Sequence, residues 1–184
     1  MTELTQDNRK ELQEVIECYS DMLFKIAYLR LKNMEDAEDV VQEAFYQYLK
    51  REEGFESTEH RKAWLIKVTL NGCRKVWRSA WNRHRSDEED VNYGQISSKQ
   101  FLGENHMQGP EEAFVSADRS RILWETVMSL PAKYTDVIHL FYYEELSIKA
   151  IADITGRKES TITSQLTRGR ELLKRKLKGE WDFA

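Results

Sequence analysis

An all-α protein of two small helical domains joined by a flexible linker is the fold class that the sequence predicts, on three observations. The 184 residues include only 8 glycines and 2 prolines. So few breakers argue against a strand-and-turn protein and for long helices. In both halves of the chain apolar residues recur every three or four positions, the period of a helix with one buried face. Between these stretches, residues 86–117 carry three of the eight glycines, Pro110 and many Ser, Asn and Gln, with no sustained period. The expected division is a first domain over 8–85, a linker over 86–117 and a second domain over 118–180.

In the first helix, Val15, Ile16, Tyr19, Met22, Leu23, Ile26, Ala27 and Leu31 form the buried stripe. Asn33 then offers an N-cap, with Asp36 three residues on in the manner of a capping box. The second helix buries Ala37, Val40, Val41, Ala44, Phe45, Tyr48 and Leu49 and leaves an acidic opposite face. Gly54 to His60 reads as a loop, and Ser57 or Thr58 can cap a third long helix. Its apolar positions include Trp64, Leu65, Val68, Cys73, Val76 and Trp77. After the linker, a helical pattern over 118–129 breaks at Leu130-Pro131, with the proline at a first helical position. Tyr134, Val137, Ile138, Phe141 and Tyr142 continue the period. Ser147 caps a short helix ended by Gly156, and 158–178 form the last one, with Ile162, Leu166, Leu173 and Leu177 inward.

Charge is distributed in blocks. The net charge is −4, yet residues 61–85 carry 8 basic side chains and no acidic one, whereas residues 1–60 carry 7 basic and 15 acidic. A carboxylate-free basic block in an acidic chain is a candidate polyanion surface. Trp64 falls in the apolar stripe and is expected in the core. Trp77 and Trp81 are open to two readings, stacking on unpaired bases or packing on neighbouring helices.

The segment 147–170 has helix-turn-helix form. Two short helices that cross steeply need a small residue at the crossing, Ala152, and a left-handed turn residue, Gly156. Ile162 then anchors the second helix on the first. Such a motif places the start of its second helix in the major groove. The side chains free to reach DNA are Lys158, Glu159, Ser160, Thr161, Thr163, Ser164 and Gln165, with Arg157 and Arg168 flanking them at phosphate positions.

With these motifs in order, the chain resembles the bacterial sigma factors of the sigma-70 family, of the small extracytoplasmic-function type. Asp36-Ala-Glu-Asp-Val-Val-Gln-Glu-Ala-Phe45 resembles the region that docks on RNA polymerase. Phe55 through Trp64-Leu65 to Asn71 resembles the region that meets the −10 promoter element. Leu130-Pro131 through Leu177, including Ser160 to Arg170, resembles the domain that reads the −35 element.

The resemblance implies a dissociable initiation subunit. Its acidic helix would bind the clamp helices of the largest subunit of core RNA polymerase, through Asp36, Asp39, Gln42 and Glu43. The loop residues Gly54, Phe55, Glu56 and Ser57 would shape a pocket for a base of the opened −10 strand. Arg61, Lys62, Lys67, Asn71, Arg74, Lys75 and Arg78 would hold that DNA, duplex and single-stranded. Lys75 stands where family members often carry aspartate, and Thr163 and Gln165 stand where they often carry Lys or Arg. A bidentate pair between Gln165 and adenine is one option these residues offer. The acidic run Asp87 to Asp90 either mimics phosphate charge in a polymerase channel or serves as a solubilising tether. An anti-sigma factor is the implied inhibitory partner.

The alternative is an autonomous helix-turn-helix regulator acting as a dimer, with helix 35–50 as its dimer face. The sequence shows no P-loop, no dinucleotide turn and no metal-spaced cluster, so no enzyme activity and no cofactor are expected. Cys18 and Cys73 make neither a disulfide framework nor a zinc pair. No apolar run approaches the roughly 18 residues of a membrane span and no secretory signal is present, so direct membrane insertion is not expected and the expected location is cytoplasmic.

Overall fold

A computed structural model describes residues 6–84 and 121–180. The linker expected over 86–117, its acidic run and the side chain of Trp81 lie outside the described residues. Helix α1 (Gln6–Leu31), α2 (Met34–Leu49) and α3 (Thr58–His84) make one bundle. A helix over residues 121–128, here α4, is followed by α5 (Ala132–Tyr142), α6 (Ile148–Thr155) and α7 (Glu159–Glu180). Among the described residues there is no strand.

The caps follow from the residues that precede each helix. The Asn33 side chain accepts from the backbone N–H of Asp36 at 3.0 Å, and Ser57 Oγ accepts from that of His60 at 3.1 Å. Ser147 Oγ accepts from the N–H of Ala150 at 3.1 Å, and Gly156 ends α6 at φ 69°. Pro131 sits at the N-cap of α5, one position earlier than the sequence suggests, with ψ 138°. Its carbonyl accepts from the N–H groups of Tyr134 and Thr135, so the chain turns into the helix only after the proline.

In the first bundle Leu23, Leu65 and Ile66 are fully shielded, each stabilising the fold by roughly 1.5–3 kcal/mol of apolar burial. In the second, Val137, Ile151, Ile162 and Leu166 play that part. Two glycines permit close helix crossings. A Cβ at Gly72 of α3 would lie 2.8 Å from Val40 Cγ1 of α2, and one at Gly169 of α7 would lie 2.7 Å from Ile138 Cδ1 of α5.

The two bundles pack against each other, α1 on α5 and α3 on α6. One continuous set of buried side chains runs through both. Whether the domains touch was open from sequence, because apolar periodicity fixes which side of a helix is buried and not which element covers it.

Candidate nucleic-acid interface

Three surfaces carry the residues singled out by sequence. The first is α2. Burial of Ala37, Val40, Val41, Ala44 and Phe45 leaves Asp39, Gln42 and Glu43 exposed and Asp36 partly so. Glu43 accepts from the Gln47 amide at 2.9 Å, an i,i+4 bond that steadies the face. Ser20, Asp21 and Phe24 of α1 join Glu38, Val41 and Gln42 of α2 around an open groove of about 330 Å³. The α1 half of this groove was missed from sequence; only packing brings it beside the acidic face.

The second surface is the loop before α3 and the outer side of α3. Phe55 stacks on Tyr48, centroids 5.7 Å apart with planes 3° apart, and meets the edge of Trp64 at 5.6 Å and of His60 at 5.5 Å. The Arg51 guanidinium lies 4.7 Å from the Phe55 centroid. This aromatic cluster fixes the loop and leaves Gly54, Glu56 and Ser57 exposed. Nothing lies within 4 Å of where a Gly54 Cβ would stand. Tyr48 is tied to α1: its hydroxyl donates to Glu11 at 3.0 Å, and burial together with that bond pushes its phenol up to about 12. Trp64 belongs to this cluster, partly buried, as the apolar stripe requires.

Along α3 the candidates do not stand alike. Lys67, Asn71, Lys75 and Arg78 are exposed and share one side of the helix at spacings of four and three. Trp77 is 49% exposed beside them. Arg61 turns inward instead, 3.7 Å from Glu11, with its Nε buried. Arg74 donates to Asn71 Oδ1 at 2.7 Å and to the Thr155 carbonyl of α6 at 3.1 Å. Lys62 reaches Glu144 of the second bundle, 2.9 Å from its carboxylate and 3.2 Å from its carbonyl oxygen.

The third surface is α7. Ile162 and Leu166 are buried against α6 and α5, so Lys158, Glu159, Ser160, Thr163, Ser164 and Arg168 face outward, with Thr161 and Gln165 half-buried at the flank. Thr167 is exposed among them and was not singled out from sequence; its place one turn after Thr163 is the signal that could have found it. Thr163, Ser164 and Thr167 donate their hydroxyl protons to the carbonyls of Glu159, Thr161 and Thr163 at 3.0, 2.9 and 3.1 Å.

Between the bundles runs a polar seam. Asp136, its side chain 5% exposed, accepts from Arg30 of α1 at 2.9 Å and from Arg157 at 3.3 Å. Burial pushes its carboxyl up, and the charges of Arg30 and Arg157 oppose that push. Lys32 takes φ 57° after the end of α1 and donates to the Met128 carbonyl at 2.9 Å. Burial lowers its ammonium to about 8. Burial alone would raise Glu144, but His139, 3.4 Å away, and the Lys62 ammonium, 2.9 Å away, outweigh it and hold the carboxyl below its ordinary value. The direct side-chain bonds across the seam thus run from cations of the first bundle to carboxylates and carbonyls of the second. Three of the residues nominated for nucleic acid, Lys62, Arg74 and Arg157, are engaged in it or in the Asp136 cluster.

Among the described residues, no group of three or more His, Cys, Asp or Glu side chains is placed to hold a metal, and no helix is long and apolar enough to cross a membrane.

Comparisons with known proteins match this layout. The family model described as Sigma-70 region 2 matches residues 15–83, and that described as Sigma-70, region 4 matches residues 120–173. The extracytoplasmic-function (ECF) RNA polymerase sigma factor SigW of Bacillus subtilis is 27% identical over 166 residues, covering 90% of this chain and 88% of that protein. The ECF RNA polymerase sigma-E factor of Haemophilus influenzae is 28% identical, covering 94% of this chain and 90% of that protein. Among solved structures, the sigma factor RpoE of Bartonella quintana, crystallised with the anti-sigma factor NepR, aligns with a TM-score of 0.69 at 22% identity. It covers 95% of this chain and 98% of that one. CnrH in complex with the cytosolic domain of CnrY aligns with a TM-score of 0.60 at 18% identity, over 95% of this chain and 92% of that one.

Proposed function

Because this chain belongs to the sigma-70 family, in its extracytoplasmic-function branch, we propose a division of labour among its three surfaces. The α2 face, with Asp36, Asp39, Gln42, Glu43 and the α1 wall of its groove, docks on the clamp helices of core RNA polymerase. Its exposed carboxylates suit arginines, which pair with them bidentately and so fix geometry as well as supplying attraction. The loop Gly54, Phe55, Glu56, Ser57 and the α3 residues Arg61, Lys62, Lys67, Asn71, Arg74, Lys75 and Arg78 engage the −10 element. Melting a duplex costs stacking energy, and holding an extruded base against a prebuilt loop offsets part of that cost. Helix α7 reads the −35 element through Lys158, Glu159, Ser160, Thr161, Thr163, Ser164 and Gln165, with Arg157 and Arg168 placed for phosphate.

The observation that carries this reading is the occurrence, in one chain and in family order, of an acidic docking face, a basic helix and an exposed recognition helix. The autonomous dimeric regulator has no support in the comparisons, which run across both domains. The family is one of non-enzymatic transcription factors, and a cytoplasmic location follows from work on DNA. By analogy with RpoE of Bartonella quintana, which shares this fold and was crystallised with an anti-sigma factor, an anti-sigma protein is its inhibitory partner.

In the closed chain Lys62 and Arg74 each spend donors on the seam, and release from it frees them for phosphate. On this reading the seam opens when promoter DNA binds, and the free, closed chain binds DNA weakly. The test is run-off transcription with core polymerase on genomic fragments. Specific start sites are expected only when this chain is added. The doubly reversed variant Asp39→Lys, Glu43→Lys is expected to lose polymerase association while keeping its helical circular dichroism; undiminished association refutes the docking face.

A further inference from the structure

Arg157, immediately after the left-handed Gly156, is held at both ends of its guanidinium. One nitrogen donates to Oδ2 of the buried Asp136 at 3.3 Å, and the other donates to Oε1 of Gln165 at 3.1 Å. A guanidinium carries only donors. The atom of the Gln165 amide that faces it is therefore the oxygen, and the orientation of an otherwise ambiguous amide is settled by chemistry. The amide nitrogen keeps its two N–H groups as donors. Three hydroxyls on the same helix, those of Thr163, Ser164 and Thr167, already donate to carbonyls of α7. Their hydroxyl protons are spent within the helix, so among these uncharged side chains Gln165 still has donors to offer, as the charged Lys158 and Arg168 do.

We propose that Asp136 and Arg157 fix Gln165 as a one-sided hydrogen-bond donor, so that Gln165 selects guanine and not adenine in the −35 element. The proposal rests on the reading of α7 as the −35 helix. A bidentate pair with adenine needs both ends of the amide, the nitrogen on N7 and the oxygen on the N6 amino group. The oxygen faces Arg157 and already accepts one bond there, so its second lone pair reaches the adenine amino group only if the amide leaves that orientation. Guanine offers two adjacent acceptors, O6 and N7, in the major groove. Thymine offers one beside a methyl group, and cytosine offers a donor that repels the amide N–H groups. Arg157 touches no base; it is a positioning residue acting through Gln165. The adenine pairing that the sequence leaves open is thereby disfavoured by a carboxylate on another helix.

The test uses the full chain with core polymerase on promoters randomised through the −35 element, reading the base preference at each position. One position is expected to favour guanine over adenine on the order of tenfold, the discrimination of a good side-chain–base contact. Gln165→Glu keeps the bond to Arg157 and loses both donors. It is expected to switch that position to cytosine, whose N4 amino group donates to a carboxylate, and to leave the other positions unchanged. Arg157→Ala frees the amide to turn and is expected to bring guanine and adenine toward parity at that same position. With the unsubstituted chain, 7-deazaguanine there removes the N7 acceptor and is expected to weaken binding several-fold, a measurement that needs no variant to fold. Adenine preferred at the position that Gln165→Glu alters, or no position altered by it, overturns the proposal. An Arg157→Ala profile identical to that of the unsubstituted chain overturns the positioning role. A flat profile from the unsubstituted chain overturns the −35 reading itself, and this inference with it.

Discussion

Gly169 lets α7 lie close to α5, and adding one methyl group there measures how tight that contact is. The Cβ of Gly169→Ala would stand 2.7 Å from Ile138 Cδ1, 3.3 Å from Ile138 Cγ1 and 3.5 Å from Tyr134 Cβ. The Cδ1 is the far end of a flexible side chain, but Ile138 is 2% exposed and its Cγ1 is also close, so the whole side chain must shift within a packed interior. Overpacking of this kind costs about 1–3 kcal/mol, whereas alanine in a helix interior gains about 1 kcal/mol over glycine. The single variant is expected to lose about 1 kcal/mol net. Ile138→Val removes the Cδ1 that makes the shortest contact and by itself costs about 1 kcal/mol through the small cavity it leaves. In the double variant the new methyl occupies that cavity and the helix gain is retained. The two losses are then expected to fall short of additivity by about 1–2 kcal/mol in urea unfolding of the full chain. Additive losses, agreeing within about 0.5 kcal/mol, refute the close crossing of α5 and α7. Because the same crossing sets the angle at which α7 leaves the domain, Gly169→Ala is also expected to weaken −35 binding more than Ile138→Val does.

Other consequences concern the seam and the DNA-binding surface. Arg30→Ala removes the interdomain partner of Asp136 while Arg157 remains, so a loss at the low end for broken buried pairs, about 3 kcal/mol, is expected. It should appear as a larger radius of gyration by small-angle scattering, and an unchanged scattering curve contradicts a seam held by this pair. Glu144 has a depressed pKa in the fold, so its contribution is present above the ordinary glutamate range and is lost as pH falls through the folded value. Glu144→Gln is expected to flatten the acid limb of the melting-temperature profile, and a limb of unaltered steepness tells against it. Lys32 also titrates lower in the fold, at about 8 against an ordinary 10.5. The folded chain sheds this proton first, so stability linked to Lys32 rises between those values, and the difference in melting temperature from Lys32→Met should change across the same interval. Replacing Lys158 and Arg168 by Ala should reduce the salt slope of −35 binding by about 1 for each phosphate that the variant no longer neutralises, measured by titration at several salt concentrations.

Local order was largely legible in the sequence, because its causes are local. Asn33, Ser57 and Ser147 cap helices with their own side chains, Gly156 tolerates the left-handed turn, and the period of Ile151, Ile162 and Leu166 defines which side of each helix is buried. The same period exposes Asp39, Gln42 and Glu43 on α2 and Lys67, Asn71, Lys75 and Arg78 on α3. Less legible was the state of individual cations. Lys62, Arg74 and Arg157 read from sequence like their exposed neighbours, since a flexible basic side chain carries no local mark of its partner. Nor did Asp21 and Phe24 announce themselves as the second wall of the α2 groove, or Thr167 as part of the α7 surface.

The sequence by itself determined the helices, their ends, the division into two matched regions and the sign of each surface, because hydrogen bonds within a few residues and the period of apolar side chains suffice for these. Tertiary structure alone decided which charges are free. Asp136 meets Arg30 across 106 residues of chain and Arg157 across 21, and Lys62 meets Glu144 across 82. Pairings over such distances depend on how whole helices pack, and their strength depends on the exclusion of water that packing brings. The orientation of Gln165 follows from them at one further remove: a carboxylate buried on α5 holds an arginine, and the arginine decides which atom of an amide faces it.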